Sequence, residues 1–482
     1  MSLPAAEPAA KETRTLSLSE CISMALEHNL DVQIQRIGPQ IARFSLDAYS
    51  GAYDPNFSMS YTHGFVSSPG GTDSNAIPLP AAERTTDDYT PQLNGTLPGY
   101  GTRYSLLTTF QAREGTGVTP GTEHTAASSI TLTQPVLKNF LIDNTRQLIE
   151  VNRRSLKISE FVLQNQIMTV VTDVQLAYYD LIYAVENVKV QQKALELAER
   201  LLSENKKRVE VGAMAPLDEK QAESQFAARK ADLIAAEREL AARQNALKTL
   251  LTDEYLTWHK VFIQPKDSLL AMAEPVDLQD SWRKGLALRP DLQQLKLDLE
   301  KKDIVLKYTG NQVLPQLDLV GTVGHNGLGG TFFDTTRDLR RGSNPRHSYG
   351  FVFSIPLSNR TSRNNYEASK ADKEQSLLKL KKLEQDIVVQ IDDAAKTAQS
   401  NYERVDATRQ ARLYAEAALD AEQKKLASGK STSFVVLQLQ RDLTTARSTE
   451  IRALADYNQA LSRLALSEGT TMDKVKLRVE LK

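Results

Sequence analysis

A single cysteine in 482 residues, Cys21, excludes any disulfide within the chain and leaves the redox compartment open. A bulk charge is missing too. Fifty-nine Lys and Arg stand against 60 Asp and Glu, so the balance gives no electrostatic reason to expect nucleic acid as a partner. No apolar run approaches the ~18–20 residues of a membrane-spanning helix. The opening "MSLPAAEPAAKETRT" lacks the apolar core of a secretory signal, which leaves a cytosolic protein or one whose signal was removed. Aromatic residues make up only 6% of the chain, while Ala, Leu, Gln, Lys and Glu fill long tracts. That composition favours extended helices over a compact mixed core.

Catalytic arrangements are missing as well. The six histidines (28, 63, 124, 259, 325 and 347) are scattered, with no H-E-x-x-H and no cysteine partner for zinc. No serine sits in a G-x-S-x-G elbow. "SGKST" (428–432) resembles the end of a phosphate-binding loop, but Lys424 stands where that motif needs its first glycine. The run "GTVGHNGLGG" (321–330) reads as strand end and loop. Asp386, Asp392 and Asp393 read as a solvated helix face. Cys21, in "LSEC", has Glu20 where a lipoprotein box needs a small residue, so it reads as a buried helix cysteine. The expectation is a protein that is not an enzyme and has no cofactor or metal.

What is present is a repeat. "LEHNLDVQ" (26–33) returns as "LALRPDLQ" (286–293), with Asp31 matching Asp291, Val32 matching Leu292 and Gln33 matching Gln293. Pro55 and Pro315 follow at the same offset. "LTQPVL" (132–137) and "FSIPLS" (353–358) come next, then "VGAMAPLDEKQAE" (211–223) and "ASGKSTSFVVLQLQ" (427–440). The order of signals is shared, and the first copy carries about 40 extra residues between its proline landmarks. This pattern predicts a tandem duplication with one enlarged insert.

Between landmarks the apolar period is helical. Val174, Ala177, Leu181, Ala184, Val188, Leu195, Ala198 and Leu202 make a coiled-coil seam interrupted by Gln191. Leu443, Ala446, Ala453, Tyr457, Ala460 and Leu464 repeat it, with Glu450 in the polar slot. No Gly or Pro interrupts residues 138–211, which predicts a helix on the order of 110 Å long. Around the prolines the period becomes two. Phe57, Met59, Tyr61, His63 and Phe65 alternate with small or polar residues, and so do Tyr349, Phe351, Phe353, Ile355 and Leu357. Leu317, Leu319, Gly321 and Val323, and Tyr104, Leu106, Thr108 and Phe110, obey the same rule. Such strands suit either a sheet packed on one side or the wall of a transmembrane barrel. Long polar connectors at 67–87 and 325–348, against the tight turn "PGYG" (98–101), favour the barrel.

Taken in order, "ALEHNLDVQ" and "ALRPDLQ", "LTQPVL" and "SIPL", and the glycine turns at Gly212 and Gly429 resemble the TolC-like outer-membrane efflux protein family, from Leu16 to about Leu466. The resemblance implies a mixed α and β chain, the tandem-repeat protomer of a trimeric outer-membrane β-barrel. A long periplasmic α-helical barrel with a small equatorial belt would continue that barrel. Residues 1–14 would be a flexible tail. Repeat 1 would span 15–265, with strands about 54–137 and coiled-coil helices to 252. Repeat 2 would span 266–482, with strands about 315–357, helices to 466 and a C-terminal belt strand carrying Val475, Leu477, Val479 and Leu481. The family's usual complement is four strands per subunit. The expected hairpin turning at Pro98–Gly101 would therefore add two, either widening the barrel or extending above it.

The resemblance also implies a function and partners. The homotrimer would sit in the outer membrane of a Gram-negative bacterium, in contact with outer-membrane lipid and reaching into the periplasm. It would serve as a passive exit duct for a tripartite efflux or type I secretion system, meeting a periplasmic adaptor (membrane fusion) protein and an inner-membrane transporter. Val211, Gly212, Ala213, Met214, Ser428, Gly429 and Lys430 would form the adaptor-docking tips. Asp218, Phe434, Val435, Leu437 and Gln438 would surround the periplasmic aperture. Val435 and Gln438 stand where some members carry an acidic ring, so a tip closed by apolar packing of Phe434, Val435 and Leu437 is expected. A soluble coiled-coil scaffold and a trimeric structural stalk are the rival readings, and no residue selects a cargo.

Overall fold

The computed structural model describes residues 12–72, 74, 77–79, 81–115, 122–212 and 214–475. Along the chain come β1 (Thr13–Leu16), α1 (Leu18–His28), α2 (Leu30–Ser50) and β2 (Asn56–Ser68). A short ladder, β3 (Gly71–Thr72) with β4 (Pro78–Leu79), precedes β5 (Ala82–Thr96), β6 (Arg103–Gly115) and β7 (Glu123–Pro135). Next are α3 (Asn144–Glu210), α4 (Pro216–Leu251), α5 (Tyr255–Trp258) and β8 (Phe262–Pro265). Then follow α6 (Leu278–Leu288), α7 (Pro290–Gln312), β9 (Gln316–Gly329), α8 (Phe332–Arg341) and β10 (Asn344–Ser354). The chain closes with α9 (Arg360–Ala427), α10 (Ser433–Glu468) and α11 (Thr471–Lys474). Two compact units result. One gathers residues up to Gln40, Ile158–Lys296 and Lys379 onward, and the other Ile41–Lys157 with Leu297–Leu378.

In the helical unit the repeated phrase has a structural reason. Asn29 breaks α1 from α2 and caps the second helix, its side-chain oxygen accepting the amides of Asp31 (3.0 Å) and Val32 (3.2 Å). In the other copy Asp291 accepts from Leu292 N at 2.9 Å. Gln33 then reaches back to the Glu27 carbonyl (3.2 Å), and Gln293 makes the same bond to Ala287 (3.0 Å). Val32 and Leu292 are both fully buried. The phrase therefore encodes a helix break whose freed carbonyl is satisfied by a glutamine six residues on.

Val32 joins a core with Cys21, Ile22, Ile167, Val174, Tyr178, Leu181, Leu247 and Leu251, while Leu292 packs with Ile387, Ile391, Ala395 and Leu464. α1 enters this core through a capping box, with Ser17 N–H donating to Glu20 at 2.7 Å. The seam follows expectation through Val174, Leu181, Ala184, Val188 and Ala198. Farther on, Ala194 and Leu201 are buried, and Leu195 and Leu202 are only half-buried. An α-helix drifts ~20° per heptad against a strict seven-residue repeat, which moves the seam by one residue. Leu443, Ala453, Tyr457, Ala460 and Leu464 are buried as expected.

Two boundaries differ from the sequence reading. Thr13 and Arg14, expected in a flexible tail, already belong to β1, which pairs in parallel with β8. Leu16 packs on the core, and its carbonyl lies 2.9 Å from the Tyr178 hydroxyl, which tethers the strand. At the other terminus Val475 ends a turn, and the remainder of the expected belt strand lies outside the described residues.

In the second unit, six long strands form one antiparallel sheet in the order β10-β9-β7-β6-β5-β2. The hairpin turn falls at Pro98–Gly101, closed by Leu97 N donating to Thr102 O at 2.8 Å. β5 and β6 lie between β2 and β7 within this sheet. The register puts Phe57, Tyr61, Phe65, Ile130, Leu132, Val323, Tyr349, Phe351 and Phe353 on one face, all of them exposed. The other face is mostly polar and internally bonded, as in Gln111 to Asp88 (2.6 Å), Thr131 with Thr322 (3.0 Å) and Arg103 to Asp318 (3.3 Å).

The 325–348 connector also needs correction. β9 continues to Gly329, and α8 occupies most of the remainder before β10 begins at Asn344. Thr331 caps α8, and Gly342 ends it at φ 66°. The glycines read as loop punctuation instead lie under that helix. A Cβ on Gly327 would come 2.6 Å from the Thr335 carbonyl oxygen. The connector after β2 is shorter than expected, because β5 starts at Ala82.

α3 begins at Asn144, six residues after the uninterrupted tract starts, because Asn139 adopts a left-handed φ of 66°. Its amide donates to Asn311 Oδ1 (2.7 Å), and the Arg146 guanidinium gathers the carbonyls of Gly99, Asn139 and Leu141. Asn359, before α9, is the other described non-glycine residue with positive φ (44°), and it donates to the Val313 carbonyl at 2.8 Å. Asparagine tolerates this region, so it turns the chain where no glycine signals a turn.

Cys21 is fully buried, and burial foremost pushes its thiol up to about 12. It should therefore resist a thiol reagent at mildly alkaline pH and label fully on denaturation. Rapid labelling of the folded protein would contradict this packing.

Candidate functional site at the helical hairpin turns

The two hairpins of the helical unit turn by different local devices. At the first, Gly212 adopts φ 69°, and Pro216 begins α4 where its missing N–H costs no hydrogen bond. At the second, Gly429 adopts φ 73° inside a Schellman arrangement. Lys430 N donates to Lys425 O (2.9 Å), and Gly429 N to Leu426 O (3.1 Å). A Cβ at either glycine would meet nothing within 4 Å. Backbone angle, not space, selects glycine here.

Both turns are exposed. Val211, Ser428 and Lys430 face solvent, and Met214 is half-buried. Ala213 lies outside the described residues. Ser431 donates to Glu422, which also pairs with Lys425 at 3.0 Å. These two contacts, Ser431 first, hold the Glu422 carboxyl below the usual range. Glu223 is lowered likewise, by Lys220 and then by Lys206 across the α3–α4 hairpin.

Leu217, Lys220, Gln221, Phe434, Leu437 and Gln438 line a groove of about 320 Å³ between the first turns of α4 and α10. The structure thus brings together Phe434, Leu437 and Gln438 from the expected aperture set. Asp218 and Val435 are not part of that lining. Within the single chain, Leu437 packs in a cluster with Leu201, Leu419, Val436 and Leu443. Phe434 is 58% exposed and Val435 37%. The helical period turns Ser433, Val436 and Leu437 inward and leaves Phe434 and Val435 outward in the single chain.

Three elements were missed from the sequence. Asn205 is 1% exposed, and it accepts from the Ser433 hydroxyl at 3.1 Å while donating, at a long 3.5 Å, to the Asp218 carbonyl. One buried amide thus links α3 to the starts of α4 and α10. Farther along the helices, Asp180 on α3 receives Arg243 of α4 (2.9 Å) and both Arg452 (3.1 Å) and Gln459 (2.8 Å) of α10. Arg452 continues to Asp456, which meets Arg404 of α9 at 3.1 Å. A second network joins Arg412 and Glu416 of α9 to Arg447 and Glu450 of α10, explaining the polar slot in that seam. Only Glu450 carried a sequence signal, as the interruption of an apolar stripe. The others look like ordinary solvated charges.

One unit is built on two long helical hairpins, and the other on an antiparallel sheet with one exposed apolar face. The sequence profile of outer membrane efflux proteins matches residues 21–252 and 283–470, and the chain belongs to that family. No curated sequence matches the chain. Among solved structures, the fold is similar to the outer-membrane channel OprN, at 16% identity and a TM-score of 0.69 over 94% of this chain and 90% of that one. The CmeC outer membrane channel of Campylobacter jejuni is similar over 99% and 96% of the two chains, at 15% identity and a TM-score of 0.68. The open-state MtrE channel of Neisseria gonorrhoeae is similar over 94% and 89%, at 15% and 0.66.

Two outcomes follow at the turns. Asn205→Ala should cost about 1–3 kcal/mol by stranding the buried Ser433 hydroxyl, with faster amide exchange at both turns. Wild-type exchange rates would contradict the link. Because the Glu422 carboxyl is lowered on folding, its contribution is present above the ordinary glutamate value, about 4.3, and is lost as pH falls through the folded value. Protection of residues 425–431 should therefore decline only in acid, and Glu422→Gln should remove that dependence.

Proposed function

We propose that three copies close their sheets into one barrel in the outer membrane, with the helical hairpins forming a tube that reaches into the periplasm. The observation that carries this reading is the sheet itself. The outer sides of its edge strands, β2 and β10, are unpaired among the described residues, and one face exposes a row of aromatic and aliphatic side chains. In lipid, every backbone polar group must be paired, so an open sheet cannot span. β2 and β10 run in opposite directions, so β10 of one copy can pair antiparallel with β2 of the next. Three copies of a six-stranded sheet make eighteen strands. Barrel diameter grows roughly linearly with strand number, so the pore wall would be about half as wide again as that of a twelve-stranded relative. The inserted hairpin widens the barrel instead of extending above it.

In this reading the chain is a tandem duplication, residues 15–265 and 266–482, because a closed tube of similar staves is built most simply from repeated ones. Substrates pass without energy input from this protein. A periplasmic adaptor docks at Val211–Met214 and Ser428–Lys430, and an inner-membrane transporter drives a tripartite efflux or secretion assembly. Asp218, Phe434, Val435, Leu437 and Gln438 surround the periplasmic aperture. The exposure of Phe434 and Val435 suits packing between neighbouring copies.

The purified protein should need detergent, run as a trimer and conduct ions in planar bilayers. A protein dispersed without detergent, or a trimer without conductance, would favour the scaffold or stalk. Gly429→Ala should cost only about 1 kcal/mol in the turn. A bulky or charged residue there should abolish efflux while leaving the trimer assembled, since a Cβ at Gly429 meets no described atom within 4 Å. Periplasmic-side divalent cations should block conductance weakly. Strong block lost in Asp218→Ala would overturn the apolar gate.

A further inference from the structure

The amphipathic helix α8 is not used by the duct. It lies on the exposed apolar face of the sheet, the side that the proposed barrel turns toward lipid. Thr335 is 1% exposed, and its hydroxyl donates to the His124 carbonyl at 3.1 Å. The Phe332 ring sits 5.0 Å from that of Phe110, and Asp338 accepts from Leu328 N and Asn344 Nδ2, both at 3.2 Å. Gly327 and Gly329 leave room for this close seat. The helix is therefore fixed on β7 and β9, at the strand ends remote from α2, α3, α7 and α9.

Its other side is a single stripe of Phe333, Arg337, Arg340 and Arg341, at helical spacings of four, three and one. Phe333 is 69% exposed, and the Arg337 guanidinium lies 4.9 Å from its ring centre. Arg337 meets Asp334 only at 3.6 Å, and neither Arg340 nor Arg341 forms an ion pair among the described residues. Beside Phe332, a mainly apolar trough of about 500 Å³ runs past Met59, Tyr89, Pro91, Phe110 and Ala112. An exposed phenylalanine among three arginines, of which only Arg337 has an acidic partner among the described residues, lies level with the strand ends and has the chemistry of a membrane interface with an anionic headgroup layer.

We propose that α8 and the trough beside it form a binding site for a phosphate-bearing lipid of the outer leaflet. Arg337, Arg340 and Arg341 hold the headgroup phosphates, Phe333 sits in the interface, and an acyl chain lies along the trough. This assignment rests on the sheet being a barrel wall.

The test uses the full-length protein in phosphatidylcholine nanodiscs doped with phosphorylated lipid A or with its dephosphorylated form, the lipids retained being counted by native mass spectrometry. Phosphorylated lipid A should be retained, with retention falling about five-fold for each arginine changed in R337Q, R340Q and R341Q. The dephosphorylated form should bind wild type and the triple variant alike. A112W, which fills the trough without changing charge, should weaken both lipids. Excess inorganic phosphate should not displace the lipid. Equal retention by the triple variant, or displacement by phosphate alone, would overturn the site. Should the triple variant not fold, the three single variants carry the same comparison. Failure of the barrel reading looks different, because the wild-type protein would then not enter nanodiscs at all.

Discussion

An unpaired strand edge cannot persist in hydrocarbon, and this constraint governs the rest of the molecule. β2 and β10 are long, and among the described residues no strand pairs with their outer edges. Edge strands of this kind in water would recruit other chains indiscriminately. In the proposed barrel, closure with further copies removes both edges, and six strands suit it because an even number preserves antiparallel pairing at each junction. A strand inserted singly would bring the chain out on the wrong side. In that reading the enlarged insert has to be a hairpin, as β5 and β6 are.

The helices face a different problem. Their seams are rich in alanine, so each buried position removes little apolar surface from water. Charge networks add directional contacts to this thin core. Asp180 ties α3 to α4 and α10, and the Arg452–Asp456–Arg404 chain extends the tie to α9. Partly exposed pairs of this kind contribute modestly one by one, and networks contribute more. Their larger effect is on register, since helices with small, similar side chains can otherwise slide along one another.

The same separation of duties appears at the ends. Glycine makes the exposed turns at Gly212 and Gly429, where the left-handed backbone angle and not crowding selects it. At the passages from sheet to helix, Asn139 and Asn359 adopt left-handed angles and use their side chains to hold neighbouring segments. One pair leaves a free surface, and the other fixes a junction.

Much of this architecture was legible in the sequence, because periodicity reports which face of an element is buried. Alternation of two around Phe57 and Phe351 and of three and four around Val174 and Leu443 was enough to separate sheet from helix. The phrase ending in Gln33 and Gln293 marked a repeated helix break before its hydrogen bond was visible. The positions that sequence missed all depend on distant partners. Asn205 reads as one more polar helix residue, and only the approach of Ser433, 228 positions away, makes it a link. Gly327 and Gly329 read as loop residues, because the helix that requires them lies beyond them in the chain. Sequence by itself determined the elements, their repetition and the sign of each sheet face, all of which are local in origin. Tertiary structure alone decided where the hairpin inserts, which of Val435 and Val436 turns inward, and that α8 seats on the apolar face, because each depends on what else occupies the neighbouring space.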